Sequence, residues 1–169
     1  DLDLYVVSGG NEFMARGLAM RDRLYFNDGH GNFSARPGTV PVFYHVGSCV
    51  APGDFDNDGD IDLFVGSRSD PSGYGIIPSN RLLLNDGTGT FRPTYGSLAM
   101  GLQGVGMVTD AEWTDVDADG KLDLVVVGEW MRVTIFRQQG GRLFDRPDLS
   151  GVDGTQGWWN GLTVADIDG

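Results

Sequence analysis

The chain has 169 residues, a net charge of −12 and 27 glycines. This acidity, without any basic stripe, argues against nucleic acid or an anionic membrane as a partner. No apolar run approaches the length of a bilayer span, so membrane insertion is not expected. Abundant glycine and many short β-branched or aromatic runs favour an all-β fold of short strands joined by tight turns.

The first predicted element is a β-hairpin at residues 23–33, in which an apolar run leads into an Asn-Asp-Gly turn and a second strand. Residues 81–91 repeat this order, and residues 133–144 give a weaker copy with Arg-Gln-Gln in place of Asn-Asp-Gly. The shared order predicts a structural repeat rather than three unrelated hairpins. An aromatic residue is aligned at the start of each second strand: Phe33, Phe91 and Phe144.

Two residues near these strands are candidate modification sites. Asn32 lies in an Asn-Phe-Ser triplet on the first predicted turn, which makes it a candidate for N-glycosylation. Cys49 is the single cysteine of the chain, so it cannot form an intrachain disulfide. Its apolar neighbours predict a small buried side chain, with an interchain disulfide as the alternative.

An aspartate ladder at residues 54–63 is the most specific pattern in the chain. A bound Ca²⁺ ion with oxygen ligands would offset the repulsion among its carboxylates. Gly59 can take the positive φ that a sharp turn needs. Val65 stands where an EF-hand has its glutamate, and an apolar run follows the ladder, so we predict a calcium loop that joins two strands. Its candidate ligands are Asp54, Asp56, Asp58, Asp60 and Asp62.

A second complete ladder occupies residues 115–124. A lysine side chain cannot bind Ca²⁺, so Lys121 is predicted to contribute only its carbonyl oxygen, as is Asp60 in the first ladder. The candidate ligands of the second ladder are Asp115, Asp117, Asp119, Lys121 and Asp123. Partial ladders stand at the two ends of the chain, and their candidate ligands are Asp1, Asp3, Asp166 and Asp168.

The spacing of these motifs defines a repeat. Asp54 and Asp115 are 61 residues apart, and Asp115 and Asp166 are 51 residues apart. Each unit holds a strand, an aspartate loop, a second strand and a hairpin, which together give the four strands of one propeller blade. We predict a single segment with approximate repeats at 1–53, 54–114 and 115–165, and with 166–169 opening the next repeat.

The chain supplies roughly three blades, whereas a propeller closes with about four to eight. We therefore expect these blades to be part of a larger or assembled propeller. A longer parent chain is the preferred interpretation. The alternative is a ring or stack that other copies of the chain complete.

At these residues the chain resembles the FG-GAP/VCBS repeat family, whose calcium-binding blades also occur in integrin α subunits. The ladders at 54–63 and 115–124 carry the specific part of the resemblance, and the hairpin at 82–91 supports it. The segments Gly-Glu-Trp-Met at 128–131 and Gly-Trp-Trp-Asn at 157–160 are similar to bacterial, secreted members. The resemblance implies a β-propeller, a Ca²⁺ ion on each complete loop, and a secreted, extracellular or cell-surface location.

The favoured function is that of a calcium-binding, non-catalytic extracellular module for adhesion, interaction, or scaffold and fibre assembly. The expected partner is a protein, a glycan or another copy of the chain. The alternative is the propeller portion of a secreted carbohydrate-active enzyme, either a lyase or a hydrolase. Glu112 and Glu129 are carboxylates that such an enzyme could pair, but no nucleophile elbow or phosphate-binding loop accompanies them.

Four tryptophans are candidates for a ligand surface, because aromatic faces bind sugar rings and also fill the space between twisted sheets. Trp113 precedes the second ladder within a predicted strand, where packing between blades is favoured. Trp158 and Trp159 are adjacent and point to opposite faces if the chain is extended, so one can pack while the other is exposed. Trp130 is the fourth member of this group.

Overall fold

The computed structural model describes residues 1–10, 17–94, 96–99, 101–147 and 151–168. No helix in this part of the chain is long and apolar enough to cross a bilayer. The strands are β1 (Leu4–Val6), β2 (Arg23–Asn27), β3 (Phe33–Ala35), β4 (Val46–Gly53), β5 (Asp62–Ser69), β6 (Arg81–Asn85), β7 (Phe91–Pro93), β8 (Met107–Thr114), β9 (Asp123–Met131), β10 (Thr134–Gln138), β11 (Leu143–Asp145) and β12 (Gly157–Trp158). Two single-turn 3₁₀ helices lie at Leu18–Met20 and Gly96–Leu98.

The strands form three antiparallel sheets. The first contains β1, β2 and β3, the second has the order β4-β5-β6-β7, and the third contains β8 to β11 with β12 paired to the end of β9. In the second and third sheets an aspartate loop joins the first two strands, and a hairpin joins the last two. These sheets confirm the prediction of all-β, blade-like units, and they fit part of a propeller.

The second sheet packs against both of its neighbours. Phe64 belongs to a buried cluster that includes Leu124 of the third sheet. Leu63 and Val65 belong to a separate cluster that includes Leu24 of the first sheet. Successive residues of a strand point to opposite faces, so β5 divides its side chains between the two clusters. Burial on both faces explains the continuous apolar run that follows the first ladder.

The third hairpin differs from the first two in its register. Its turn is one residue shorter than those at 28–32 and 86–90. Leu143 therefore takes the place that Phe91 has in the second sheet, and Leu143 is buried whereas Phe144 is exposed. The predicted alignment of Phe144 with Phe91 is wrong by one residue, because the third turn lacks the longer Asn-Asp-Gly sequence.

We expect Phe64→Ala to lower the free energy of unfolding by about 3–5 kcal/mol, because the ring is fully buried between two sheets and its removal leaves a cavity. Phe144→Ala is the matched control, since that ring is 42% exposed and should cost about 1 kcal/mol or less. Urea unfolding of both variants measures the difference. Equal losses in the two variants would contradict the packing described here.

Candidate metal centre

The first aspartate loop brings three carboxylates together. Oxygens of Asp54, Asp56 and Asp58 lie within 4.8 Å of one another. The two oxygens of Asp54 accept hydrogen bonds from the backbone N–H groups of Asp58 and Gly59, each at 3.1 Å. Gly59 has the predicted positive φ, and Asn57 also has a φ of 60°. The loop therefore curls its backbone around the Asp54 carboxylate and turns the following aspartates to the same side.

Asp62 is the last aspartate of this ladder and the first residue of β5. Its side chain is buried, and its two oxygens accept hydrogen bonds from the backbone N–H of Phe55 at 3.1 Å and of Asn85 at 2.9 Å. The carboxylate therefore ties the start of the loop to the third strand of the sheet. Burial raises the pKa of Asp62 to about 6, because the charged form loses its hydration.

No ion pair in the described residues involves a carboxylate of the first loop. Burial and the neighbouring Asp58 raise the pKa of Asp56, as expected where like charges face one another. Asp60 is not a member of this cluster, and one of its side-chain oxygens lies beside Gly87 of the hairpin. The first loop thus offers an oxygen-only donor set of net negative charge, which suits a hard divalent cation such as Ca²⁺.

The second loop repeats the same backbone scaffold. Asp115 accepts hydrogen bonds from the N–H groups of Asp119 at 3.1 Å and Gly120 at 2.8 Å. Asp123 is buried and accepts from Val116 at 3.3 Å and from Gln138 at 2.8 Å. Its clustered carboxylates, whose oxygens lie within 4.8 Å of one another, are Asp115, Asp117 and Asp123.

Two side-chain cations occupy the second loop. Arg137 forms an ion pair with Asp117, and its guanidinium also lies 3.5 Å from Asp123. The Lys121 ammonium lies 2.6 Å from Asp119, and this hydrogen bond lowers the pKa of Asp119. Lys121 therefore has a side-chain role that its sequence position did not suggest. The second loop carries its own countercharge.

Arg137 replaces an apolar residue of the other repeat. Gln138 donates its backbone N–H to Asp123 as Asn85 does to Asp62, so Arg137 and Leu84 hold corresponding positions. The sequence signal for this difference was the weaker third copy of the hairpin, but the sequence alignment of Arg137 with Asn85 is wrong by one residue, because Gln138 is the residue that corresponds to Asn85. The spacing of the aspartates alone could not reveal it.

The partial ladder at the start of the chain has the geometry of the end of a complete loop. Asp3 accepts the backbone N–H of Asn27 at 2.9 Å, and the Asn27 amide donates to the Leu2 carbonyl at 3.1 Å. Asp1 lies beside Gly29 as Asp60 lies beside Gly87. In the described part of the chain, groups of three carboxylates occur only in the two complete loops. At the other end Asp166 and Asp168 are exposed, and Gly169 lies outside the described residues.

A buried Ser-His-Asp arrangement links the first and second sheets, and sequence patterns did not indicate it. His45 contacts the Ser67 hydroxyl at 2.7 Å through Nδ1 and Asp22 at 3.0 Å through Nε2. Asp22 also accepts the Tyr5 hydroxyl at 2.9 Å and the Ser8 N–H at 2.8 Å. The Ser67 hydroxyl is buried and hydrogen-bonded, so it is unsuited to attack a substrate. This hydrogen-bond network therefore has a structural role in joining the first and second sheets.

The tryptophans fall into two groups. Trp113 is buried against Phe55, with ring centroids 5.8 Å apart, and its indole N–H donates to the Ala51 carbonyl at 3.0 Å. Trp159 is half-buried and donates to the Met131 carbonyl at 3.2 Å. The rings of Trp130 and Trp158 are both exposed. Packing thus accounts for Trp113 and Trp159 only.

The two candidate glutamates have separate partners. Glu112 accepts the backbone N–H of Val164 at 3.0 Å. Glu129 is buried and accepts hydrogen bonds from Arg68 at 2.6 Å and from the Tyr74 hydroxyl at 2.7 Å. Each carboxylate is therefore engaged in holding the fold.

Blade-like antiparallel sheets with an aspartate loop between the first two strands define a repeat protein of the β-propeller class. The family model of FG-GAP-like repeats matches residues 1–65, 54–111 and 115–169. These matches cover nearly the whole chain, which belongs to the FG-GAP-like repeat family. No curated protein matches the chain in a sequence search.

We expect the free energy of unfolding of Asp62→Asn to rise relative to that of the wild type as the pH increases from about 4 to about 7 in calcium-free buffer. The reference pKa of an unfolded aspartate is about 3.9. Because folding raises the Asp62 pKa to about 6, the folded state binds more protons between these values and loses stability as the pH rises. Urea unfolding at several pH values measures this difference.

Asp86→Asn is the control for this pH dependence. Hydrogen bonds from Thr88 lower the pKa of Asp86, so the variant should lose stability relative to the wild type as the pH rises. Parallel trends for the two variants, or a difference between Asp62→Asn and the wild type that does not vary with pH, would contradict the burial effect.

Proposed function

We propose that this chain is a calcium-stabilised, non-catalytic propeller module of a secreted or cell-surface protein. The observation that carries the proposal is the first aspartate loop, in which three carboxylates converge and form no ion pair with any cation of the described residues. Extracellular calcium is abundant enough to fill modules with dissociation constants of about 0.1–1 mM. An extracellular location is therefore consistent with this kind of site.

The residues of the first loop fit Ca²⁺. Asp54, Asp56 and Asp58 would supply carboxylate oxygens, the backbone carbonyl of Asp60 is a further candidate, and Asp62 would complete the set from below. Bound calcium would supply positive charge where the fold holds several carboxylates together. The Asp54 and Asp62 carboxylates are already oriented by backbone N–H groups, so little reorganisation is required of them.

The second loop is proposed to bind calcium more weakly. Its carboxylates converge in a similar way, but Arg137 neutralises part of the charge that would attract a cation. Calcium would have to displace this guanidinium from Asp117 and Asp123. Under this proposal, the first loop depends on an external cation, whereas Arg137 partly neutralises the carboxylates of the second loop.

The absence of catalysis is likewise a proposal. The Ser-His-Asp arrangement is buried, and the glutamates considered for an acid pair are engaged with separate partners. We propose that the module acts by binding a protein, a glycan or another copy of itself, as expected for adhesion or scaffold proteins. A secreted bacterial setting is the one that the Gly-Glu-Trp-Met and Gly-Trp-Trp-Asn segments favour.

Asp56→Ala is expected to weaken calcium binding by about ten-fold or more, because it removes one of three convergent carboxylates. Wild-type protein should unfold at a higher temperature in calcium than in chelator, since a ligand that binds only the folded state stabilises it. Calorimetric titration and thermal unfolding measure the two effects. Asp28→Asn, which removes the same charge from an exposed turn, is the control. An identical melting curve for wild-type protein in calcium and in chelator would refute the proposal.

Exchanging the residues that distinguish the two loops tests the role of Arg137. Arg137→Leu should strengthen calcium binding at the second loop and lower stability in chelator, because buried Asp123 loses its nearby countercharge. Leu84→Arg should weaken calcium binding at the first loop. Calorimetric titration of each variant reports the number of sites and their affinities. Unchanged calcium affinities in both variants would show that Arg137 does not weaken calcium binding at the second loop.

A further inference from the structure

Trp130 has a strained backbone and an exposed ring. Its φ is 58°, a left-handed conformation that is strained for a bulky residue, and its side chain is 65% exposed. The strain does not serve to bury the ring. Trp130 lies near the end of β9, seven residues beyond Asp123, so a strand rise of about 3.3 Å per residue separates it from the second loop by roughly 20 Å. This feature is therefore distinct from the metal centre.

The ring of Trp130 is held in place by its neighbours. Its centroid lies 4.9 Å from that of Trp158, with an angle of 57° between the ring planes. Glu129, the residue before Trp130, is buried and accepts a hydrogen bond from the Tyr74 hydroxyl at 2.7 Å. Glu129 is fixed in turn by Arg68. We call Tyr74, Trp130 and Trp158 the aromatic platform.

A cavity of about 530 Å³ adjoins the platform, with Trp130 in its wall. Arg132 and Asp145 form an ion pair at 2.5 Å within the lining. The side chains of Gln103, Asp153 and Gln156 have no hydrogen-bond partner among the described residues. Three polar side chains of the lining are thus free to bond a ligand, namely Gln103, Asp153 and Gln156, while Arg132 and Asp145 are paired with each other.

We propose that the aromatic platform and its cavity bind a pyranose unit of a neutral glycan. The C–H face of a pyranose ring packs on an exposed indole. Its hydroxyls both donate and accept hydrogen bonds, so they match amide groups, carboxylate acceptors and guanidinium donors. The volume lies in the range of small-ligand sites, which is about 300–1,000 Å³. The site deepens the proposed glycan-binding role and uses none of the calcium ligands.

The charge and polarity of the cavity decide against other ligands. Asp145 and Asp153 lie in the lining, and the whole chain carries a net charge of −12, so an anionic sugar would be repelled. Several unpaired polar side chains would lose hydration against a purely apolar ligand. A concave lining of polar side chains beside an aromatic wall therefore favours a neutral sugar over both an anionic sugar and a purely apolar ligand.

The test is a titration of the chain with cellohexaose, chitohexaose and mannohexaose, followed by tryptophan fluorescence and calorimetry. At least one of these neutral probes should bind saturably, and Trp130→Gly should weaken binding by about ten-fold or more. Glycine tolerates the positive φ, so this variant removes the ring while relieving strain, and its thermal stability should equal or exceed that of the wild type. Gln156→Ala should weaken binding without loss of folding.

Phe33→Ala is the matched control, because it removes a 49% exposed aromatic ring from another sheet and should leave binding unchanged. The neutral probes should bind in calcium and, wherever the protein stays folded, in chelator, which separates this site from the calcium proposal. No saturable binding up to about 10 mM, or equal affinity in Trp130→Gly, would overturn the inference. Preference for polygalacturonate over every neutral probe would overturn it as well.

Discussion

The buried carboxylate at the ninth position of each ladder is the interaction on which the blade geometry depends. Asp62 and Asp123 each accept one N–H from the start of their loop and another from the third strand of their sheet, and Asp3 accepts the corresponding strand N–H. Burying a carboxylate is unfavourable unless hydrogen bonds or countercharge accompany it. One side chain thereby fixes the loop, the strand that begins with it and the neighbouring hairpin in a single arrangement.

The two complete loops differ in whether a side-chain cation lies beside their carboxylates. In the third sheet, Arg137 reaches the cluster from the strand beside the loop, and that cation comes with the fold. In the second sheet the corresponding residue is Leu84, which packs against the core between the second and third sheets. Under the calcium proposal, the first loop would instead draw its countercharge from solution. The two loops thus differ at one position of a hairpin strand, and the calcium proposal predicts that this position sets how strongly each loop depends on external cation.

Most of this architecture follows from sequence patterns that are local. The placement of each ladder between two strands, the positive φ of Gly59 and the strands after each loop are properties of short segments, and they were predicted correctly. The pairing of Arg137 with Asp117 connects residues 20 positions apart, so no ladder pattern contains it. The buried network around His45 joins two sheets and depends on their packing. The positive φ of Asn57 was missed because a sharp turn was assigned to glycine alone.

The strained backbone of Trp130 is possible because the rest of its strand is over-determined. From Asp123 to Glu129, β9 is buried and pairs along its length with β8. Strain persists only where surrounding contacts leave the chain no better alternative, and this strand supplies such contacts. The core of the blade thus orders the Asp123 end of β9 through a buried carboxylate. At the other end of the same strand it holds Trp130 in an unfavourable backbone conformation. The Trp130 ring packs on Trp158 and still remains 65% exposed, so the proposed sugar-binding role would give a physical reason to retain this conformation.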